Sequence, residues 1–280
     1  MASRALILDI DNTLYSWVDA FLPSFRAVVH RLSAMLGADE NQLLLDFRNV
    51  YQRHGSVEYP RATRELAIWA RLGFSEEDRD KTAALLEKIF SINYKKNLKL
   101  YPNVRRVLEW AMSEDIVVIG LSDALERWVC YRLRMLGIER YFSGLYTWGQ
   151  ESWFEERRPH KSCIKNRVQL ATEELKPNRE VVDRVLADFS MPSARAYMVG
   201  DSVSKDIVAA QAAGVTDVWA RYGTTPKHEN LSTLRAITPW TEENKSGEDI
   251  ARAVVVPSHT IDDFGELIDI IGSSQPTLFD

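Results

Sequence analysis

The stretch Ala5-Leu6-Ile7-Leu8-Asp9-Ile10-Asp11-Asn12-Thr13 joins a short apolar run to two carboxylates that stand two positions apart. An unbroken run of apolar residues is typical of a strand that is buried on both faces of a parallel sheet. Ligands of such sheets bind beyond the carboxyl ends of the strands. This stretch therefore predicts a buried strand over residues 5–8, with an acidic site at its end.

Further apolar runs end in the same abrupt way. Residues 116–121 precede Ser122-Asp123, residues 196–199 precede Gly200-Asp201, and two more strands are predicted over 215–220 and 253–256. Helical patterns lie between these runs, and alternation of strands with helices favours an α/β fold with a Rossmann-like parallel sheet. The polar residues that end the runs should then meet at one edge of the sheet.

The chain between the first two predicted strands is long and holds no strand pattern. Apolar residues over 21–36 recur mostly at spacings of three and four, which predicts a helix with one apolar face. Similar patterns follow and indicate about four helices, far more than a crossover between two strands needs. We therefore predict a helical domain over residues 16–98, inserted into a core formed by residues 1–15 and 99–280.

Composition limits the classes of function. The 280 residues include 35 Lys and Arg against 40 Asp and Glu, a net charge of −5, whereas a binder of nucleic-acid polymers would need a basic face. The two cysteines, Cys130 and Cys163, do not suggest a disulfide framework. No apolar run approaches the roughly 18 residues of a membrane helix, and residues 5–8 are too short for a signal peptide. These features predict a cytoplasmic protein without membrane partners.

Acidic, hydroxyl and lysine residues accompany the predicted strand ends. Hard oxygen ligands for Mg²⁺ could come from Asp9, Asp11, Asp201 and Asp206. Ser122 offers a hydroxyl and a backbone N–H beside a helix start, which suits a phosphate group, and Lys176 could place a positive charge on the same anion. Each residue alone also fits an ordinary cap, turn or solvated position, but their order along the chain favours one shared site.

With these residues in this order, the chain resembles the haloacid dehalogenase superfamily of phosphotransferases. The four motifs of that superfamily appear as residues 9–13, Ser122, Lys176 and residues 200–206. The resemblance also covers a helical cap inserted after the first motif. It implies a Mg²⁺-dependent phosphatase that hydrolyses a small phosphate monoester, such as a sugar phosphate or a nucleotide.

The resemblance implies a role for each motif residue. Asp9 would be the nucleophile that forms an aspartyl-phosphate, and Asp11 would act as general acid and then as general base. Mg²⁺ would be held by Asp9, Asp201 and the backbone carbonyl of Asp11 with support from Asp206, and the phosphoryl group by Ser122, Asp123 and Lys176. Superfamily members that displace halide lack a carboxylate at the Asp11 position, so Asp11 argues against dehalogenation.

Several alternatives remain open at this point. Lys161 competes with Lys176 as the phosphate-binding lysine, because the charged segment 150–177 is longer than the corresponding loop of the superfamily. Transfer to a second hydroxyl, as in a phosphomutase, is the alternative reaction, and a receiver-like or non-catalytic phosphate-binding protein is the alternative class.

Substrate contacts could come from residues 51–55, Tyr59 and Arg61 of the cap. Segment 222–248 is predicted as a polar surface excursion without an assigned role.

Overall fold

The structure, a computed structural model, describes residues 4–149, 153, 162–224, 228–238 and 242–273. Its strands are β1 (Arg4–Leu8), β2 (Ile116–Leu125), β3 (Gly144–Trp148), β4 (Asn166–Leu170), β5 (Ala196–Gly200), β6 (Thr216–Ala220) and β7 (His259–Ile261). They form one sheet in the order β4-β3-β2-β1-β5-β6-β7, and neighbouring strands are parallel. The predicted α/β fold with a parallel sheet is therefore confirmed.

Strand β1 lies between β2 and β5, so its end has a neighbour on each side. Leu8 is in register with Gly120 of β2 and with Val199 of β5. Because the three strands run in the same direction, the residues after Leu8, Leu121 and Val199 lie along one edge of the sheet. The register therefore brings the three predicted motif segments together.

Helices of the insertion follow β1 directly. They are α1 (Trp17–Leu36), α2 (Glu40–His54), α3 (Ile68–Arg71) and α4 (Glu76–Asn97). The rings of Phe25 and Phe47 lie 4.9 Å apart and join α1 to α2, and those of Phe21 and Phe90 lie 5.5 Å apart and join α1 to α4. The chain thus forms four α-helices between β1 and residue 98, and the spacing of apolar residues predicts about four there.

The remaining helices follow residue 98, and the first four of them cover both faces of the sheet. They are α5 (Val104–Ser113), α6 (Glu126–Met135), α7 (Arg179–Asp188), α8 (Val208–Ala212), α9 (His228–Ile237), α10 (Glu242–Val254) and α11 (Leu267–Ser273). Leu6 of β1 packs in one core with α5 and α6, whereas Ile7 packs in a second core with α7 and α8. Successive side chains of a strand point to opposite faces, so burial on both faces explains the unbroken apolar run. None of the helices described here is long and apolar enough to cross a membrane.

The prediction of a strand over residues 253–256 is wrong. Helix α10 continues to Val254, and the last strand of the sheet is β7. Val254 and Val256 are 71% and 83% exposed, and of this run only Val255 packs against a small core cluster. A short apolar run is compatible with a helix end as well as with a strand, and only tertiary burial separates the two.

Segments 150–177 and 222–248 contain more regular structure than the sequence predicts. Strand β4 lies in the first segment at the edge of the sheet, where only its last residue, Leu170, is buried. An edge strand of this kind has no continuous apolar run, which is why the pattern predicts a loop. The second segment carries α9 and the first part of α10. Residues 150–152 and 154–161 of the first segment lie outside the described residues.

Candidate active site

Three carboxylates cluster at the carboxyl ends of β1 and β5. Asp9 directly follows β1, Asp201 directly follows β5, and Asp206 lies in the π-helical turn Val203–Ile207. One carboxylate oxygen from each residue lies within 4.8 Å of the other two. Gly200 permits this approach, because a Cβ atom at that position would lie 2.2 Å from the carboxyl group of Asp206.

Burial and mutual repulsion raise the pKa values of these carboxyl groups. Burial, assisted by the charges of Asp9 and Asp206, raises the pKa of Asp201 well above its usual 3.8. Burial likewise raises the pKa of Asp206 to about 6 and raises that of Asp9. A cation among them would stabilise the ionised forms. Three closely spaced hard oxygen donors are a donor set that fits Mg²⁺.

Lys176 is buried within this carboxylate cluster. Its Nζ donates hydrogen bonds of 2.6 Å to Asp9 and to Asp206, and one of 3.2 Å to the backbone carbonyl of Leu121. Burial alone would lower the pKa of Lys176, but the charges of Asp206 and Asp9 raise it well above its ordinary value. The ammonium group therefore stays charged and offsets part of the carboxylate repulsion. Lys161 lies outside the described residues.

Ser122 and Asp123 lie near the end of β2, the strand next to β1. Ser122 is buried, and its Oγ accepts a 3.2 Å hydrogen bond from the N–H of Ala124. Asp123 accepts hydrogen bonds of 3.0 Å from the N–H of Lys176 and 2.8 Å from Nζ of Lys205. Burial would raise the pKa of Asp123, but these two lysines lower it. The carboxylate of Asp123 therefore fixes the backbone of Lys176 relative to β2.

The carboxylate of Asp11 has different partners from that of Asp9. It accepts hydrogen bonds of 3.0 and 3.1 Å from the guanidinium of Arg132, and one from the hydroxyl of Tyr15. Burial raises the pKa of Asp11 to about 6, although the charge of Arg132 opposes this shift. The two carboxylates of the first motif are thus separated, because Asp9 pairs with Lys176 and Asp11 pairs with Arg132.

Arg132 and Glu58 carry no recognisable motif, yet both lie beside Asp11. Arg132, on α6, is 3% exposed and pairs with Glu58, which lies between α2 and α3. Glu58 also accepts a 2.7 Å hydrogen bond from Nε1 of Trp17 on α1. These contacts connect Asp11 to the helical insertion. The sequence contains no signal for them, because α6 carries other arginines and periodicity does not show which one is buried.

Glu248 on α10 is a further residue that the motifs do not indicate. Its carboxylate accepts hydrogen bonds of 2.8 Å from Oγ of Ser202 and 3.0 Å from the N–H groups of Val203 and Ser204. Burial would raise the pKa of Glu248, but these hydrogen bonds, led by those of Ser204, lower it from 4.5 to about 2. Glu248 therefore fixes the turn that connects Asp201 to Asp206.

Replacement of the buried lysine should destabilise the protein strongly. Lys176→Met leaves the carboxylates of Asp9 and Asp206 without their shared partner, so we expect the free energy of unfolding to fall by about 3–5 kcal/mol at pH 7 in chelator. The matched control is Lys205→Met, since Lys205 is half-exposed and its ion pair with Asp123 should contribute less than about 1 kcal/mol. Urea denaturation of both variants measures the difference, and equal losses would contradict it.

Glu248 should stabilise the folded protein in a pH-dependent way. Because folding lowers its pKa from 4.5 to about 2, the stabilisation is complete above pH 4.5 and is lost as the pH falls towards 2. We expect Glu248→Gln to lower the free energy of unfolding by about 1–2 kcal/mol at pH 7 and by progressively less below pH 4.5. Denaturation curves across this range test the expectation. Asp249→Asn, at the exposed neighbour, is the control, and a pH-independent difference for Glu248→Gln would refute the linkage.

Comparisons with known proteins identify families and relatives that the chain is similar to. The family model of haloacid dehalogenase-like hydrolases matches residues 3–214, and a HAD-hydrolase-like model matches residues 175–267. A phosphoglycolate phosphatase from Pseudomonas fluorescens strain Pf-5 is 27% identical over 265 residues, which cover 92% of this chain and 86% of the relative.

Solved structures with the same fold include proteins of different activity. A 2-haloacid dehalogenase from Pseudomonas syringae pv. tomato DC3000 aligns with a TM-score of 0.59 at 16% identity, covering 98% of this chain and 99% of the other. A HAD phosphatase from Thermococcus onnurineus aligns with a TM-score of 0.56 at 17% identity, covering 96% and 98% of the two chains. At these identities the likeness concerns the fold alone.

Proposed function

The chain belongs to the haloacid dehalogenase-like hydrolases, and within this family we propose that it is a Mg²⁺-dependent phosphatase that forms an aspartyl-phosphate on Asp9. The observation that carries the proposal is the position of Asp9, whose carboxylate lies 2.6 Å from Lys176 and in one cluster with Asp201 and Asp206. A carboxylate can approach a phosphate dianion only where positive charge offsets their repulsion. The phosphoglycolate phosphatase from Pseudomonas fluorescens supports this class of reaction.

The residues at the sheet edge divide into two binding groups. Mg²⁺ would be held by the carboxylates of Asp9, Asp201 and Asp206 and by the backbone carbonyl of Asp11, and the phosphoryl group by Ser122, the backbone N–H of Asp123 and Lys176. When bound, the metal ion supplies Lewis-acid polarisation of the phosphoryl oxygens. Lys176 holds Asp9 in place and adds a positive charge beside the transferred group.

Hydrolysis proceeds in two displacements at phosphorus. One carboxylate oxygen of Asp9 attacks phosphorus, and the bond from phosphorus to the ester oxygen breaks while protonated Asp11 donates its proton to that oxygen. Asp11 then removes a proton from water, and the water oxygen attacks the aspartyl-phosphate. Inorganic phosphate leaves and the carboxylate of Asp9 is restored. The separate partners of the two residues, Lys176 and Arg132, suit these separate roles.

The helical insertion, residues 16–98, acts as a cap over the core formed by residues 1–15 and 99–280. Glu58 of the insertion pairs with Arg132, which in turn holds Asp11. A cap in this position excludes bulk water from the reacting groups and contacts the leaving group of a small phosphate monoester.

Removal of the metal ion tests the proposal directly. Phosphate release from 4-nitrophenyl phosphate should require Mg²⁺ and should fall by roughly 100-fold or more in excess EDTA, because the carboxylate cluster then repels the phosphate dianion. Adding Mg²⁺ beyond the chelator should restore the rate. A rate that is unchanged in EDTA would contradict the metal dependence, and absence of release with Mg²⁺ would count against the phosphatase assignment itself.

A further inference from the structure

A cavity of about 450 Å³ lies within the helical insertion. Its wall is mostly apolar and includes Phe21, Phe25, Phe47, Tyr51 and Phe90. Helix α6 of the core closes one side with Trp128 and Arg132. The volume falls in the range of small-molecule sites, roughly 300–1,000 Å³.

Arg132 connects this cavity to the reacting groups. The same side chain lines the cavity and lies 3.0 Å from the carboxylate of Asp11. In the proposed reaction Asp11 gives its proton to the ester oxygen, so that oxygen lies one side chain away from the cavity. The group attached to the ester oxygen therefore has the cavity as its neighbouring space.

The charged side chains of the cavity wall balance one another. Two arginines, Arg127 and Arg132, stand against two glutamates, Glu58 and Glu87. Arg132 is already paired with Glu58 and Asp11, Glu87 lies 3.7 Å from Arg64, and Arg127 has a partner of its own. The wall, as far as the structure describes it, contains no Lys, His, Asn or Gln. It therefore offers neither an uncommitted cation for a carboxylate nor an amide that could read the edge of a base.

We propose that the substrate is the phosphate monoester of an uncharged alcohol that carries an apolar ring, with the ring in this cavity and the phosphoryl group at Asp9. The proposal rests on the proposed phosphatase function, and it replaces the sugar phosphates and nucleotides that the sequence suggests as substrates. Ring burial favours binding because it removes apolar surface from water. The relative from Pseudomonas fluorescens is named for phosphoglycolate, whose leaving group carries a carboxylate and belongs to another chemical class.

A set of four monoesters tests the proposal with the full-length protein and Mg²⁺. They are 2-phenylethyl phosphate, ethyl phosphate, phosphoglycolate and uridine 5′-monophosphate. The first two have leaving groups of similar basicity, so their ratio of kcat/KM reports contact with the ring. We expect 2-phenylethyl phosphate to exceed ethyl phosphate by roughly 10–100-fold and to exceed the other two esters as well. A higher kcat/KM for any of the other three would overturn the proposal.

Two variants of α4 test whether the ring of the substrate lies in the cavity. Ser91 lines the cavity, and Ser91→Phe should lower the ratio of kcat/KM between 2-phenylethyl and ethyl phosphate by about tenfold, because the new ring takes up cavity space. Ile92 is 59% exposed on the same helix, so Ile92→Phe should leave the ratio unchanged. An unchanged ratio in Ser91→Phe would place the ring elsewhere and refute the assignment.

Binding of the product alcohol tests the cavity assignment independently of the proposed phosphatase reaction. Isothermal titration with 2-phenylethanol needs no turnover, and we expect binding to the unaltered protein that is weakened in Ser91→Phe but not in Ile92→Phe. If no ester is hydrolysed while this binding pattern is observed, the phosphatase function fails and the cavity assignment stands. If 2-phenylethanol does not bind, the cavity assignment fails whatever the activity on other esters.

Discussion

Asp9→Asn is expected to lower kcat for phosphate-ester hydrolysis by roughly 10⁴–10⁶-fold, the scale of loss when a nucleophile is removed. An amide nitrogen or oxygen cannot replace the carboxylate oxygen that bonds to phosphorus. The amide has almost the same shape. Its oxygen can still accept the hydrogen bond from Lys176, and the Thr13 hydroxyl, which donates to the other carboxylate oxygen of Asp9, can accept one from the new amide nitrogen instead. We therefore expect a folded protein that has lost turnover.

Three measurements separate chemistry from folding in this variant. Steady-state kinetics give kcat, and urea denaturation gives the stability of the variant. Acid quenching of the unaltered enzyme during turnover gives the fraction of aspartyl-phosphate. Asp183→Asn, on the exposed face of α7, is the control and should retain full activity. A variant at Asp9 that keeps more than about one per cent of kcat would exclude a covalent intermediate on this residue.

The position of the site, at the carboxyl ends of the strands, could be predicted because it depends on short stretches of sequence. Strands β1 and β5, which precede Asp9 and Asp201, are buried on both faces. Such burial requires an unbroken run of apolar residues, which the sequence shows directly. Strand β4 has no such run, since it is the outermost strand of the sheet and only Leu170 is buried. Local patterns therefore reveal β1 and its two neighbours, β2 and β5, whereas they miss β3 as well as β4.

Residues brought to the site by tertiary packing were harder to predict. Lys176 is 167 positions from Asp9 along the chain, and their shared site is predicted only by the order of the acidic, hydroxyl and lysine residues and by the resemblance to a known superfamily. Arg132 and Glu58 meet across the insertion and the core, and Glu248 reaches the turn after Asp201 from a segment that was predicted as a surface excursion. A buried ion pair requires two elements to pack together, and single-sequence patterns do not encode that packing.

Asp11→Asn should have an effect that depends strongly on the leaving group. A carboxyl group whose pKa is raised to about 6 can hold the proton that an alkoxide needs as it leaves. We expect kcat/KM for ethyl phosphate to fall by roughly 10²–10⁴-fold and that for 4-nitrophenyl phosphate to fall much less, because nitrophenolate departs without a proton. The same reasoning argues against halide displacement, since halide also leaves unprotonated.

Glu58, the residue of the insertion that pairs with Arg132, provides the matched control for Asp11→Asn. Glu58→Gln removes one carboxylate from Arg132 but leaves Asp11 in place, so any change caused by the altered environment of Arg132 should affect ethyl and 4-nitrophenyl phosphate equally. A selective loss on ethyl phosphate in Asp11→Asn alone would assign proton transfer to Asp11. Two results would contradict this assignment: equal losses on both esters in Asp11→Asn, or a selective loss on ethyl phosphate in Glu58→Gln. Either would mean that the Asp11–Arg132–Glu58 contacts position the substrate and that the proton comes from another group.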